Sequence, residues 1–207
     1  MSSITKNNQL ISDITQFDIN NIIFDQPETY EKPFVNSVVN ILTKNPDNTI
    51  GDLLFSVPET TTFGFKKSKN YYSVGFRIDD NTYSNLHSII GFCKSHMDKV
   101  DPAFQHSLET MTGNIQSNPS KMIFIKTLRE SMIYLEKNGS PVKVKEHDLL
   151  ISHENRQLYL IKPVIQLKSI TRNGDVTYLN WVLYETDIKH IKPLVIRPSL
   201  LHPKKKQ

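Results

Sequence analysis

The sequence lacks the paired cysteines of disulfide-rich domains and the glycine-containing motifs of common nucleotide-binding and hydrolytic enzymes. Its one cysteine, Cys93, excludes an intrachain disulfide framework. The seven glycines are scattered, and no phosphate loop, G-x-S-x-G motif or C-x-x-C motif occurs. No run of about 18 apolar residues is present, and the start MSSITKNNQLISDITQ lacks the order of a secretory signal. We therefore expect a soluble intracellular protein that is not an enzyme.

Metal-binding side chains also lack a recognisable pattern. His87, Cys93, His96 and His106 are close in sequence, but their spacing matches no standard zinc site. Cys93 falls on the apolar stripe of a predicted helix, and a helix cap accounts for the acidic pair Asp79-Asp80. We expect no metal and no cofactor.

Positive charge is concentrated near the C-terminus. The 207 residues carry a formal charge of +4, which is modest for a chain that fits one domain. Residues 186–207 hold six cations and one acid, so they contribute +5 and the rest of the chain sums to −1. Local positive patches suit a polyanionic ligand. A terminal lysine cluster by itself is more often a solvated tail.

The first half of the chain has strand periodicity followed by helical periodicity. Alternating or apolar segments predict strands at 33–43, 51–57, 60–65 and 71–78. After Thr82 apolar residues recur at helical spacing, with Asp80 or Thr82 as the cap. Residues 101–113, which begin Asp-Pro and end in glycine, predict a second helix.

The second half returns to strand patterns. Residues 121–136 fit either a strand or a helix, and we favour a strand after Arg129. Asn138-Gly139 predicts a tight hairpin turn. The segments 157–170 and 176–188 flank a second Asn-Gly turn and form the clearest hairpin.

This order of elements predicts a mainly β (α+β) fold. Because no βαβ alternation occurs, a parallel sheet is not expected. An antiparallel barrel of the oligonucleotide/oligosaccharide-binding (OB) type with a helical insertion fits best. We expect a flexible N-terminal arm at 1–33, the OB-like domain at 34–188 and a basic, unstructured Pro/Lys tail at 189–207.

The stretch TTTFGFKKSKNYYSVGFRI, residues 60–78, holds five aromatic rings and four cations but no acid. Alternation over 71–78 predicts a core face and an exposed face, made respectively of Tyr72, Val74, Phe76, Ile78 and of Tyr71, Ser73, Gly75, Arg77. Phe63 and Phe65 share one face of the partner strand, and the hairpin register decides whether they are buried. Taken alone we expect both in the core, because buried phenylalanine is commoner.

If those rings are exposed, they form a platform on which nucleobases stack while cations contact phosphates. The candidate nucleic-acid-binding residues are Phe63, Phe65, Tyr71 and Tyr72 for stacking, Lys66, Lys67, Lys69 and Arg77 for phosphates, and Lys204, Lys205 and Lys206 of the tail.

The arrangement of several segments resembles a known family. LLFSVPETTTFGF leads to YYSVGFRI, the helical LHSIIGFCKSHM follows, and YLIKPVIQLKSI with YLNWVLYETDI closes the pattern. This layout resembles the single-stranded DNA-binding proteins of large nucleocytoplasmic DNA viruses, found in poxviruses, asfarviruses and iridoviruses. The resemblance implies an OB-like fold and a role in coating DNA during viral replication or repair. The C-terminal end is basic here, where some relatives carry an acidic tail.

The sequence thus favours a sequence-tolerant binder of single-stranded nucleic acid. The resemblance implies that this nucleic acid is DNA and that the protein is located in the host cytoplasm or at a viral replication site. Self-association or contact with replication proteins is expected, and membrane contact is not. A non-enzymatic structural or adaptor protein of a virion or assembly complex is the alternative, with exposed strands pairing to a partner. An enzyme without a recognisable motif is the third interpretation.

Overall fold

The protein is described here from a computed structural model that covers residues 3–4, 9–30, 36–100, 121–151, 157–173 and 176–191. These residues form a mainly β fold with a mixed sheet and, within those ranges, one α-helix. No helix in the described ranges is both long and apolar enough to cross a membrane.

The strands are β1 (Ser3–Ile4), β2 (Leu10–Asp13), β3 (Ile22–Phe24), β4 (Glu28–Tyr30), β5 (Asn36–Lys44), β6 (Ile50–Asp52), β7 (Leu54–Ser56), β8 (Thr60–Lys67), β9 (Tyr72–Arg77), β10 (Met122–Lys137), β11 (Ser140–Val144), β12 (Tyr159–Asn173) and β13 (Val176–His190). The helix α1 spans Asp80–Val100, and short 3-10 helices span Ile19–Asn21 and Glu146–Leu149. The predicted strands at 60–65 and 71–78 are confirmed with small shifts in their ends, and the strand at 33–43 is confirmed from residue 36, since 33–35 lie outside the described residues. The single strand predicted at 51–57 is wrong: it is two strands, β6 and β7, which pair with β5 and with β12 respectively.

Five strands are joined by a circuit of pairings that returns to its start. β8 pairs with β9, β9 with β10, β10 with β13, β13 with β12, and β12 pairs back with β8 through Tyr159↔Thr62, Leu160↔Thr61 and Ile161↔Thr60. The larger of the two apolar clusters among the described residues contains residues from all five strands and from α1. The five strands therefore share one core.

The expectation of a purely antiparallel sheet is wrong. β10 runs parallel to β13, and β2 runs parallel to β7. Parallel neighbours need a long connection rather than a hairpin. β10 and β13 are connected by β11, the 3-10 helix and β12 instead of by a crossover helix. The absence of a βαβ pattern in the sequence therefore did not exclude a parallel pair of strands.

The predicted flexible N-terminal arm at 1–33 is also wrong where it can be compared. Residues 9–30 contain strands that pair with β5 and β7, and Ile11, Ile14 and Ile22 are buried. Ile11 and Ile22 lie on two different short strands and Ile14 follows the first of them, so no single strand period relates the three and their burial depends on tertiary packing. Residues 1–2, 5–8 and 31–33 of the predicted arm lie outside the described residues.

The helix predicted after Thr82 is confirmed as α1, inserted between β9 and β10. Its buried stripe is made of Thr82, Leu86, Ile89, Ile90, Cys93 and Met97. The cap is Asp79 rather than Asp80 or Thr82, because the Asp79 carboxylate accepts the Thr82 backbone N–H at 2.7 Å. That bond lowers the pKa of Asp79. The second predicted helix, 101–113, lies outside the described residues.

Both predicted hairpins of the second half are confirmed. Residues 122–137 form a strand throughout, so the helical alternative is wrong. Asn138 and Gly139 connect β10 to β11 with φ of 53° and 78°, the left-handed conformation that an Asn-Gly turn provides. β12 and β13 pair from Tyr159↔His190 to Asn173↔Val176. β13 continues to His190, and Lys189 forms a 2.7 Å ion pair with Glu136 instead of belonging to the predicted tail.

Candidate nucleic-acid interface

A β-bulge in β8 decides which aromatic side chains of the 60–78 hairpin face solvent. Thr62 pairs with Phe76 and Phe65 pairs with Val74, so Phe63 and Gly64 together oppose the single residue Gly75. The extra residue breaks the two-residue alternation of the strand. Phe65 is fully buried, whereas Phe63 is 48% exposed.

Gly64 makes this bulge possible. Its φ is +107°, a conformation that residues with a side chain rarely adopt. A Cβ at this position would also lie 2.4 Å from the backbone oxygen of Leu149. The expectation that both phenylalanines are buried is thus correct for Phe65 and wrong for Phe63, and Phe65 is removed from the stacking candidates.

The predicted faces of β9 are confirmed. Val74, Phe76 and Ile78 are buried, while Tyr71 and Arg77 are exposed on the other side, which we call the outer face. Tyr71 is 50% exposed, and Tyr72 is partly exposed at the start of the strand. Tyr71 and Arg77 are six residues apart, so their Cα atoms are separated by about 20 Å along the strand. They therefore occupy opposite ends of the outer face.

An open groove of about 570 Å³ lies beside the turn between β8 and β9, and we call it the basic groove. Its lining comes from three segments of the chain: Lys67, Ser68, Lys69, Asn70, Tyr71, Tyr72; Lys126, Thr127, Leu128, Arg129; and Lys145, Glu146. Five cations and one carboxylate line it. Such an excess of positive charge in a concave surface favours an anionic ligand.

The basic groove brings together Lys67, Lys69, Tyr71 and Tyr72 of the predicted site. Lys66 is exposed on β8, opposite Ser73, and does not line the groove. Arg77 lies at the far end of β9 and borders a smaller cavity together with Glu59 and Asp79. Lys204, Lys205 and Lys206 lie outside the described residues.

Sequence reasoning missed three cations of the basic groove: Lys126, Arg129 and Lys145. Lys126 and Arg129 belong to β10, which lies next to β9, and Lys145 follows β11. The signal for Lys126 was the alternation of MIFIK at 122–126, which places it with Phe124 on the face opposite Ile123 and Ile125. Its proximity to the β9 residues depends on a strand pairing that the sequence alone does not specify.

Lys126 is held in place by a polar network on the outer face. Its Nζ donates to Asn180 Oδ1 at 2.9 Å, and Asn180 Nδ2 donates to the hydroxyls of Ser169 and Thr171. Burial lowers the pKa of Lys126, and the positive charge of Lys168 lowers it further. Among the described residues no carboxylate forms an ion pair with Lys126 or Lys168. A phosphate arriving beside them would relieve this repulsion.

Sequence reasoning also missed the exposed ring of Phe124. It pairs with Gly75 of β9 and is 50% exposed. A Cβ on Gly75 would lie 2.6 Å from a ring carbon of Phe124, so the ring occupies the space above the glycine. The Phe124 ring therefore covers the Gly75 backbone on the outer face.

The residues once considered as metal ligands have other surroundings. Cys93 is buried, which raises the pKa of its thiol to about 12. The His96 ring stacks on Phe24 with centroids 3.7 Å apart, and His87 lies beside Tyr83. His106 is outside the described residues. Within the described part of the chain, no three His, Cys, Asp or Glu side chains are grouped so that they could hold a metal ion.

No family model matches the chain, and no curated protein sequence is significantly similar to it. The resemblance to viral single-stranded DNA-binding proteins therefore stays a prediction.

Proposed function

We propose that this protein binds single-stranded nucleic acid, DNA in preference to RNA, without sequence specificity and without catalysing a reaction. The observation that carries the proposal is the basic groove, where five cations from three segments of the chain surround one carboxylate. Cations that track a phosphate backbone provide most of the affinity in sequence-tolerant binding. The viral and replicative setting, with its intracellular location, rests on the sequence resemblance and is part of the proposal.

The strand circuit supports an OB-like barrel as the framework of this site. OB folds are five-stranded Greek-key barrels that bind oligonucleotides on the face of their second and third strands and at the loop between the first and second. Numbered along the circuit, those strands are β9 and β10, and that loop is 68–71. The basic groove is bordered by this loop and by both strands. The position of the groove thus matches the place where an OB fold binds its ligand.

Aromatic side chains extend the interaction beyond charge. Tyr71 borders the groove with half of its surface exposed. A base stacked on such a ring contributes about 1–3 kcal/mol whatever its identity, because every base has a flat π face. Phosphates held by lysines and bases held by rings give affinity without hydrogen-bond readout, which is the basis of sequence tolerance.

Binding of a fluorescent oligo(dT) tests the proposal directly. We expect the double variant Lys69→Gln/Arg129→Gln to bind more than tenfold more weakly than the wild type, since two charge-assisted phosphate contacts are lost. Lys94→Gln is the matched control, because Lys94 is exposed on α1 and does not line the groove. Absence of binding by the wild type, or equal affinities for wild type and double variant, would overturn the proposal.

The adaptor alternative has less support at the edge formed by β11. β11 pairs with β10 only, among the described strands, so it presents an open edge. That edge carries Pro141 and Lys143, residues that oppose the addition of a further strand. A partner protein recruited by strand pairing is therefore not favoured at this position.

A further inference from the structure

We propose that Phe63 and Phe124, with Gly75 between them, form a stacking site for an unpaired nucleobase. We also propose that this site, together with Tyr71 and not the cations of the basic groove, makes the protein prefer single strands to duplexes. The inference rests on the proposed function and assigns it a specificity-determining element outside the groove.

The two rings are brought to the same place by two different strands. β8 and β10 flank β9, and both Phe63 and Phe124 are opposite Gly75 in the pairing registers. The β8 bulge turns Phe63 to the outer face, and Phe124 leans over Gly75 from the other side. Strands lie about 4.8 Å apart, so the Cα atoms of the two phenylalanines are about 10 Å apart across β9.

The exposure of the two rings contrasts with the burial of the apolar side chains around them. The large apolar side chains next to the two rings, Phe65, Phe76, Ile123 and Ile125, are all buried. Phe63 and Phe124 are the two described phenylalanines with about half of their surface in solvent. Leaving two neighbouring rings in water forgoes favourable burial. A flat ligand that covers them recovers that free energy.

The surroundings of the rings select a ligand that is both flat and anionic. Lys126 lies two residues from Phe124 on the same face of β10, and Arg77 lies two residues from Gly75 on the same face of β9. Lys126 also lines the basic groove, so the outer face is continuous with it. The two rings, with a cation on either side, fit a nucleobase whose flanking phosphates contact Lys126 and Arg77.

This arrangement discriminates between strands by the availability of base faces. In a duplex each base is already stacked on its neighbours, so its faces cannot reach a protein ring without unstacking. Phosphates are exposed in both forms, so the cations of the basic groove favour neither strongly. Phe63 and Phe124, together with Tyr71 of the groove, are therefore the side chains that distinguish the two forms.

The test compares three probes of equal length: oligo(dT), an oligomer of abasic nucleotides, and duplex DNA. For Phe63→Ala/Phe124→Ala we expect affinity for oligo(dT) to fall at least about fivefold, the lower limit for one lost stacked base. Affinity for the abasic oligomer and for the duplex should not change. Phe63→Tyr/Phe124→Tyr keeps both rings and should restore oligo(dT) binding.

Gly75→Ala adds a perturbation that removes no ring. The new methyl group displaces the Phe124 ring from its place, so affinity for oligo(dT) should fall while duplex affinity is kept. Tyr30→Ala is the aromatic control, since Tyr30 is 50% exposed on β4 and bonded to Glu28. It should bind all three probes like the wild type.

The outcomes separate this inference from the proposed function. If the wild type binds oligo(dT) and the double alanine variant binds it equally well, the stacking site is wrong and the groove proposal stands. An equal loss for all three probes also overturns the stacking site, because base contacts cannot explain weaker abasic binding. A wild type that binds none of the probes overturns the proposed function itself.

Discussion

The salt dependence of binding follows quantitatively from the composition of the basic groove. Each phosphate contacted on a single strand adds about −0.7 to the slope of log affinity against log salt concentration, through release of counterions. Five cations line the groove, namely Lys67, Lys69, Lys126, Arg129 and Lys145. If each contacts one phosphate, the slope is about −3.5.

That slope predicts large changes over an accessible range of salt. Raising the concentration from about 50 mM to about 200 mM should weaken binding of oligo(dT) by the wild type roughly 130-fold. In Lys69→Gln/Arg129→Gln three contacts remain, the slope becomes about −2.1, and the same change in salt weakens binding roughly 20-fold. Fluorescence anisotropy titrations at four or more salt concentrations measure both slopes.

The control and the refuting results concern the slope, and one further variant concerns the affinity. Lys94→Gln changes the net charge of the protein by one unit but lies away from the groove, so its slope should equal that of the wild type. Glu146→Gln removes the one carboxylate of the groove and should raise affinity. A slope near zero, or a slope that Lys94→Gln changes as much as the groove variant does, would refute the reasoning.

Three further predictions concern stability and reactivity. Gly64→Ala should lower the free energy of unfolding by at least about 2 kcal/mol in urea titrations, because of its positive φ and the contact with the Leu149 carbonyl; a change of a few tenths would contradict the bulge. Asp79→Ala should cost about 1 kcal/mol at pH 7. Because the folded-state pKa of Asp79 is lowered, the stabilisation by its carboxylate is complete above the ordinary pKa of 3.8 and is lost as pH falls through the folded-state pKa. If the difference in free energy of unfolding between wild type and Asp79→Ala does not shrink in acid, Asp79 is not the cap. Cys93, buried and with a thiol pKa of about 12, should resist an aromatic disulfide reagent at pH 8 until urea unfolds the protein, and prompt labelling of the native state would show that α1 opens.

Local patterns were enough to predict most elements of this fold. Alternation located β8, β9, β12 and β13, helical spacing located α1, and Asn138-Gly139 located the turn after β10. These signals are local because the spacing of apolar residues within a short stretch of sequence is enough to indicate a strand or a helix. The exposed positions of Tyr71 and Arg77 followed from the same alternation.

The errors arose where a non-local contact overrides the local period. The GF pair at 64–65 shows no sign of a bulge except the glycine itself, so the outward turn of Phe63 depends on the Thr62↔Phe76 and Phe65↔Val74 pairings. Lys126 and Phe124 lie at the site because β10 pairs with β9, although α1 separates these two strands in the sequence. Sequence patterns specify which face a residue occupies but not which strand lies beside it.

The parallel pairing of β10 with β13 has a consequence for biosynthesis. β13 lies between β10 and β12, and it is the last described strand to leave the ribosome. Until residue 190 has been translated, the Lys126 and Thr127 portion of β10 has an unpaired edge, and Asn180 is absent from its place beside Lys126. A nascent chain that stops before residue 176 therefore exposes an aggregation-prone edge and holds an incomplete groove. The groove is therefore complete only when nearly all of the described chain has been made.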